Sequence, residues 1–200
     1  MNQATNFPLT LQMQPIINLN EEQFFAFCQL NRDLRIERNA QGDIHIMAPT
    51  GGESSRRNFK LITHFGQWAE KDNRGIAFDS SGGFILPNGA IRSPDLAWVR
   101  RERLQSLTAT QKQRFLPLAP DFVVEIRSPS DNLATLQEKM LEYITNGVLL
   151  GWLLDPTNQT TYIYQPATSV QTVTGNQELS ASNLLPNYTL PLTTIWDIDF

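Results

Sequence analysis

The stretch from Ser93 to Tyr143 places the tightest constraint on what this chain can fold into. It holds two short apolar runs, each interrupted by one acid: Ser93-Pro94-Asp95-Leu96-Ala97-Trp98-Val99, and Pro120-Asp121-Phe122-Val123-Val124-Glu125-Ile126-Arg127-Ser128-Pro129-Ser130-Asp131. A helical pattern carrying Lys139 and Tyr143 follows. A strand packed inside a fold rarely keeps an ionised carboxylate without a partner. Two such acids on neighbouring strands must take up a proton or share a cation.

The remainder of the chain supplies the packing around that stretch. Its 200 residues, 40% of them apolar, fit one domain with a sizeable core. Sixteen basic and 20 acidic residues give a net charge of −4, which argues against coating nucleic acid through bulk charge. A local basic groove stays open, with Arg56-Arg57 and Arg100-Arg101-Glu102-Arg103 as candidate pieces. The single cysteine, Cys28, cannot close an intrachain disulfide, as expected in a reducing cytoplasm. No apolar segment reaches membrane-span length, and the first residues lack a basic-then-apolar signal pattern.

Read in order, residues 1–18 are polar, aperiodic and interrupted by Pro8 and Pro15, and are expected to form an arm. Asn20 with Glu21, Glu22 and Gln23 marks a helix start, and Cys28 lies on that helix's apolar face as a small core residue. Residues 34–38 and 43–47 alternate around Asn39-Ala40-Gln41-Gly42, which predicts a hairpin; His45 has no ligand-spaced neighbour. A helix is expected from Glu53 to about Lys71, buried through Leu61, Ile62, Phe65, Trp68 and Ala69. On its second face Glu53, Arg57, Lys60 and His64 form either a solvated flank or, at the N-terminal end, part of a phosphate site. His64 is the weaker candidate there.

Short strands are expected at 75–80 and 83–86, then around Asp95. Residues 100–119 read as polar and basic, with a short helix near 108–115. Gly147 ends the helix carrying Lys139, and 148–154 reads as a strand covered on both faces. A further hairpin spans 160–164 and 170–174, and the tail from Leu184 to Trp196 is expected to hold short strands around Pro186 and Pro191. No repeat or linker divides the chain.

Strand period sets Val123, Glu125 and Arg127 on one face, and Asp95 and Ala97 on one side of the earlier strand. If those strands are neighbours in register, Asp95 and Glu125 converge. A hard cation such as Mg²⁺ takes one or two carboxylates, with waters and phosphate oxygens completing its shell. Such an ion polarises a phosphodiester and acidifies a bound water. Arg127 and Lys139 are the candidate cationic partners. Arginine stays protonated and cannot act as a base. A helix doubling back at about 1.5 Å per residue brings Lys139 roughly level with Glu125. Lys139 is favoured as the catalytic cation and Arg127 as a holder of phosphate.

Ser93-Pro94-Asp95, Val124 through Ser130, Lys139, Tyr143, Gly147-Val148, Trp152 and Asp155-Pro156 together resemble a restriction-endonuclease-like family long catalogued as a bacterial domain of unknown function, within the PD-(D/E)XK nuclease superfamily. The resemblance runs from about Asn20 to the C-terminus. It implies an α/β fold, a restriction-endonuclease-like mixed β-sheet flanked by helices. It also implies cleavage of nucleic acid, with DNA the expected substrate, dependent on Mg²⁺ or Mn²⁺, and homodimers. By the same resemblance Asp95 and Glu125 are the metal carboxylates and Lys139 completes the catalytic set. The superfamily's lysine is expected two residues after the second acid, where Arg127 stands, and has moved to the helix. Glu53 corresponds to the superfamily's helical acid; Arg57, Arg127 and Tyr143 are accessory candidates. Simpler roles exist: Asp95 as a turn acid after Pro94, and Glu125 in a buried ion pair with Arg127. A non-cleaving binder of nucleic acid or protein, and a purely structural dimer module, are the competing classes. A serine hydrolase is disfavoured, because Gly-x-Ser-x-Gly is absent.

Overall fold

The computed structural model describes residues 9–181 and 184–198. Residues 1–8 of the expected arm therefore lie outside the described residues. In chain order the elements begin β1 (Leu9–Leu11), α1 (Glu21–Leu30), β2 (Arg35–Arg38), β3 (Ile44–Met47), α2 (Gly52–Asp72), β4 (Gly75–Asp79), β5 (Phe84–Ile85), β6 (Ile91–Arg92), β7 (Leu96–Arg100) and α3 (Arg101–Gln105). They continue α4 (Ala109–Lys112), β8 (Phe122–Ile126), α5 (Leu133–Thr145), β9 (Leu150–Asp155), β10 (Thr160–Tyr164), β11 (Gln171–Thr174), β12 (Glu178–Ser180), β13 (Thr189–Pro191) and α6 (Thr193–Trp196). The chain divides into two compact units. One takes the segment ending at Pro49 with Gly83–Ser93 and Thr108–Leu118; the other takes Thr50–Gly82, Pro94–Leu107 and the chain from Ala119.

The first unit is built on a five-stranded sheet of order β1-β3-β2-β6-β5, antiparallel throughout. Its hairpin β2–β3 is the one the alternation predicts. Strand β1 comes from the stretch expected as an arm, and its three residues are exposed on the sheet edge. Asn20 caps α1 reciprocally: its Oδ1 accepts from the Gln23 N–H, and Gln23 Oε1 accepts from the Asn20 N–H. Phe24, Ile36, Ile44 and Ile91 form the core, with Cys28 packed against them. Burial pushes the Cys28 thiol up to about 11, so it is a packing residue rather than a nucleophile. His45 hydrogen-bonds Thr10 Oγ1 through Nδ1 at 3.0 Å.

The second unit carries a six-stranded sheet of order β11-β10-β9-β8-β7-β4. Strands β8 and β9 run parallel, with α5 as their crossover, and the other pairs are antiparallel. This is the expected mixed sheet flanked by helices. Alternation sends Leu96, Trp98, Phe122, Val124, Trp152 and Leu154 to one face, where Leu61 and Phe65 of α2 and Tyr188, Leu190 and Ile195 of the tail cover them. The Phe65 ring lies 5.8 Å from Phe122 and 4.9 Å from Tyr188, centroid to centroid. The opposite face, with Val123, Glu125, Gly151 and Leu153, receives α5. That helix approaches closely because Gly151 has no side chain: a Cβ there would sit 2.5 Å from Met140 Cε. Asn132 caps α5 at Ala134 and Thr135, and Gly147 ends it at a φ of +101°.

Three short elements depart from the sequence reading. Helix α3 stands at the start of the polar stretch 100–119, whereas one helix near 108–115 was expected. Asp121 explains it: this buried carboxylate accepts from the Arg100 N–H at 2.9 Å and meets Arg103 Nη1 at 2.9 Å, fastening α3 to the start of β8. Strand β6 pairs only through two residues, too few for a period to show. In the tail only β13, ending at Pro191, is a strand, and it pairs with β12 upstream; the strand expected around Pro186 is a turn, and α6 buries Ile195 and Trp196. Among the described residues no helix is long and apolar enough to cross a membrane.

Candidate active site

Antiparallel pairing of β7 with β8 sets Leu96 opposite Val124, Ala97 opposite Val123 and Trp98 opposite Phe122. Asp95 lies in a bend just before β7, and the same register carried one step past the last pair would set it opposite Glu125. Asp95 stands at the mouth of β7 with Oδ2 accepting the Ile126 N–H at 2.8 Å, so its carboxylate reaches across to β8. Glu125 lies within β8 and is only 5% exposed. The Asp95 carboxylate is thus fastened to the backbone of the residue that follows Glu125.

Helix α5 lies over the side of β8 that carries Glu125. Lys139 Nζ sits 2.8 Å from Glu125 Oε1, and Tyr143, one turn later, donates its hydroxyl to the same oxygen at 2.9 Å. Long helical side chains point back toward the helix N-terminus, so residues four apart meet on one face. The Lys139 ammonium accordingly lies 5.8 Å from the centre of the Tyr143 ring. Glu125 takes its lysine from the helix rather than its arginine from the strand.

Arg127 turns to a different acid. In the parallel register beyond Ile126 and Leu154 it stands beside Asp155; Nη1 donates to Asp155 Oδ2 at 2.9 Å and Nε to the Asp131 carbonyl at 3.2 Å. Asp155 directly follows the strand expected at 148–154, and local pattern assigns it no partner. Its signal was there in Asp155-Pro156, but only the parallel register reveals the pairing.

The polar face of α2 is tied to the C-terminal segment. Glu53, largely exposed, pairs with Arg57 Nη1 at 3.3 Å; Arg57 Nε donates to the Ile195 carbonyl at 3.1 Å, and Lys60 Nζ to the Asp197 carbonyl at 2.8 Å. His64 packs edge-on to Tyr188, 5.8 Å between centroids. Desolvation holds its pKa below 6.5, with Glu178 opposing. A native-state pKa below the unfolded value means that the unfolded chain binds the proton first. The stability this represents is complete above about pH 6.5 and is lost as pH falls toward the lowered native value. Thermal melts of wild type should therefore decline between pH 7 and pH 5 more steeply than those of His64→Gln. Parallel declines would remove His64 from the account.

Among the described residues no three His, Cys, Asp or Glu side chains are grouped closely enough to hold a metal ion, so Glu53 does not join Asp95 and Glu125. The donor types of Asp95 and Glu125, carboxylates without sulfur or imidazole, suit a hard divalent cation that keeps several waters. They do not fit a zinc site, which needs a fuller set of nitrogen or sulfur ligands.

The sequence profile of the family described as "Uma2: Putative restriction endonuclease" matches residues 21–193. No curated protein matches the chain. Among solved structures, that of "a putative nuclease belonging to DUF820 from Anabaena variabilis ATCC 29413" superposes with a TM-score of 0.69 at 17% identity, covering 80% of this chain and 89% of the other. At that identity the likeness is one of fold.

Proposed function

The chain belongs to the Uma2 family of restriction-endonuclease-like proteins, and from that premise we propose that it hydrolyses phosphodiester bonds of DNA with Mg²⁺ or Mn²⁺ at Asp95, Glu125 and Lys139. The observation that carries this reading is the ion pair of Lys139 with Glu125, on a strand whose next residue, Ile126, donates its N–H to Asp95. Asp95 and Glu125 would hold the cation. When bound there, it supplies Lewis acidity toward a phosphate oxygen and lowers the pKa of water.

The protein's own groups do the rest. Asp95, steadied by the Ile126 N–H, keeps its carboxylate turned across the strands. Lys139 carries a fixed positive charge on a flexible stem, able to leave Glu125 and donate to a phosphate oxygen as negative charge builds in the transition state. Tyr143 of α5, fully buried with its hydroxyl on Glu125, keeps bulk water from the inner side of that carboxylate. The reading extends to a homodimer, on the family resemblance, and to the cytoplasm, on the single unpaired cysteine.

Lys139→Ala is expected to lower kcat about a hundredfold or more while changing the half-saturating Mn²⁺ concentration far less. Cleavage of plasmid DNA across a Mn²⁺ series measures both. A variant that loses metal affinity and keeps its turnover would place Lys139 among the structural residues. Tight DNA binding with no cleavage by wild type under any divalent cation would favour the non-cleaving binder.

A further inference from the structure

Glu125 Oε1 receives two donors from one helix, and they differ in kind. Tyr143 is fully buried, with its ring held by packing and its hydroxyl 2.9 Å from the oxygen. Lys139 reaches the same atom on a stem of four methylenes, partly open to solvent, and passes near the Tyr143 ring. One donor is fixed and one can leave. If Lys139 moves to a phosphate during turnover, a carboxylate held by it alone would be released at the moment when its orientation matters. Removing a group that orients a metal ligand costs about ten- to a hundredfold in metal affinity.

From this we propose that Tyr143 is a positioning residue: its hydroxyl keeps the Glu125 carboxylate in place for the cation when Lys139 departs to substrate. The inference rests on the nuclease reading above and assigns within it a division of labour along α5. Tyr143 touches neither substrate nor cation. It acts through Glu125.

The test is calorimetric titration of Mn²⁺ into purified protein without nucleic acid, so that turnover plays no part. Tyr143→Phe deletes one oxygen and keeps the ring that fills the core. It should weaken Mn²⁺ binding about tenfold, the lower end of the effect of removing a group that orients a metal ligand. In a Lys139→Met background, where the tyrosine is the remaining donor of the pair, the same deletion should cost nearer a hundredfold. Tyr188→Phe is the control for loosened packing. That hydroxyl is buried with no hydrogen-bond partner among the described residues, on the opposite face of the sheet. Equal affinities for wild type and Tyr143→Phe would overturn the role of Tyr143 and leave the metal site standing. An equal loss in Tyr188→Phe, or the same loss in both lysine backgrounds, would also overturn it. Failure of wild type to bind Mn²⁺ at all would remove the metal site and this role together.

Discussion

Glu125→Gln should reduce Mg²⁺-dependent cleavage by about a thousandfold or more and leave the fold in place. The substitution keeps the shape of the side chain and an oxygen that can accept from Tyr143, but removes the anionic donor that a hard cation requires. Several kilocalories of transition-state stabilisation depend on that cation, and about 4 kcal/mol is a thousandfold in rate. Glu125→Ala makes the comparison sharper. Either substitution removes the anionic partner of Lys139, whose side chain is only 13% exposed, but alanine also leaves the buried Tyr143 hydroxyl without its acceptor. A loss of about 3 kcal/mol follows, which for a chain of this size lowers Tm by roughly 6–12 °C. Activity on plasmid DNA and thermal melting, run on both variants, separate the two effects. Glutamine at this position with undiminished cleavage would end the metal assignment, whatever the alanine variant does to stability.

The placement of the acids at and within strands is legible because strand period is two and the apolar runs are short. Once Leu96–Trp98 and Phe122–Val124 are strands, Asp95 and Glu125 have few places to go. Lys139 was legible through helical rise, which brings a residue midway along α5 back beside the strand that precedes it. Arg127 was harder. Period alone puts it on the Glu125 side, but its partner Asp155 lies 28 positions on, and their meeting follows from parallel pairing through the α5 crossover. Local pattern carries no register between strands so joined. His64 shows a related limit. A helical wheel marks its face of α2 as polar, yet Tyr188 from the tail covers it, a contact between residues 124 positions apart in sequence. Elements such as β6 and α6, two and four residues long, fall below the length at which any period can be counted.

Arg127→Ala should act on stability before it acts on substrate. Asp155 is 0% exposed and carries three partners: Arg127 Nη1 at 2.9 Å and Asn158 Nδ2 at 2.8 Å on Oδ2, and the Thr157 N–H at 3.2 Å on Oδ1. Arg127 is the cation among these three, and its Nε also ties down the Asp131 carbonyl in the loop that leads to α5. Removing it leaves a buried carboxylate held only by neutral donors, a loss of about 3–5 kcal/mol and roughly 10 °C in Tm at this chain length. A paired replacement, Arg127→Met with Asp155→Leu, should recover most of that loss, because breaking an ion pair costs far more than exchanging it for packed apolar groups. An arginine that holds phosphate behaves otherwise: its alanine variant raises KM, softens the salt dependence of DNA binding, and melts with wild type. Melting curves for the single and double variants decide between these roles, and an unchanged Tm in Arg127→Ala would return the residue to the DNA.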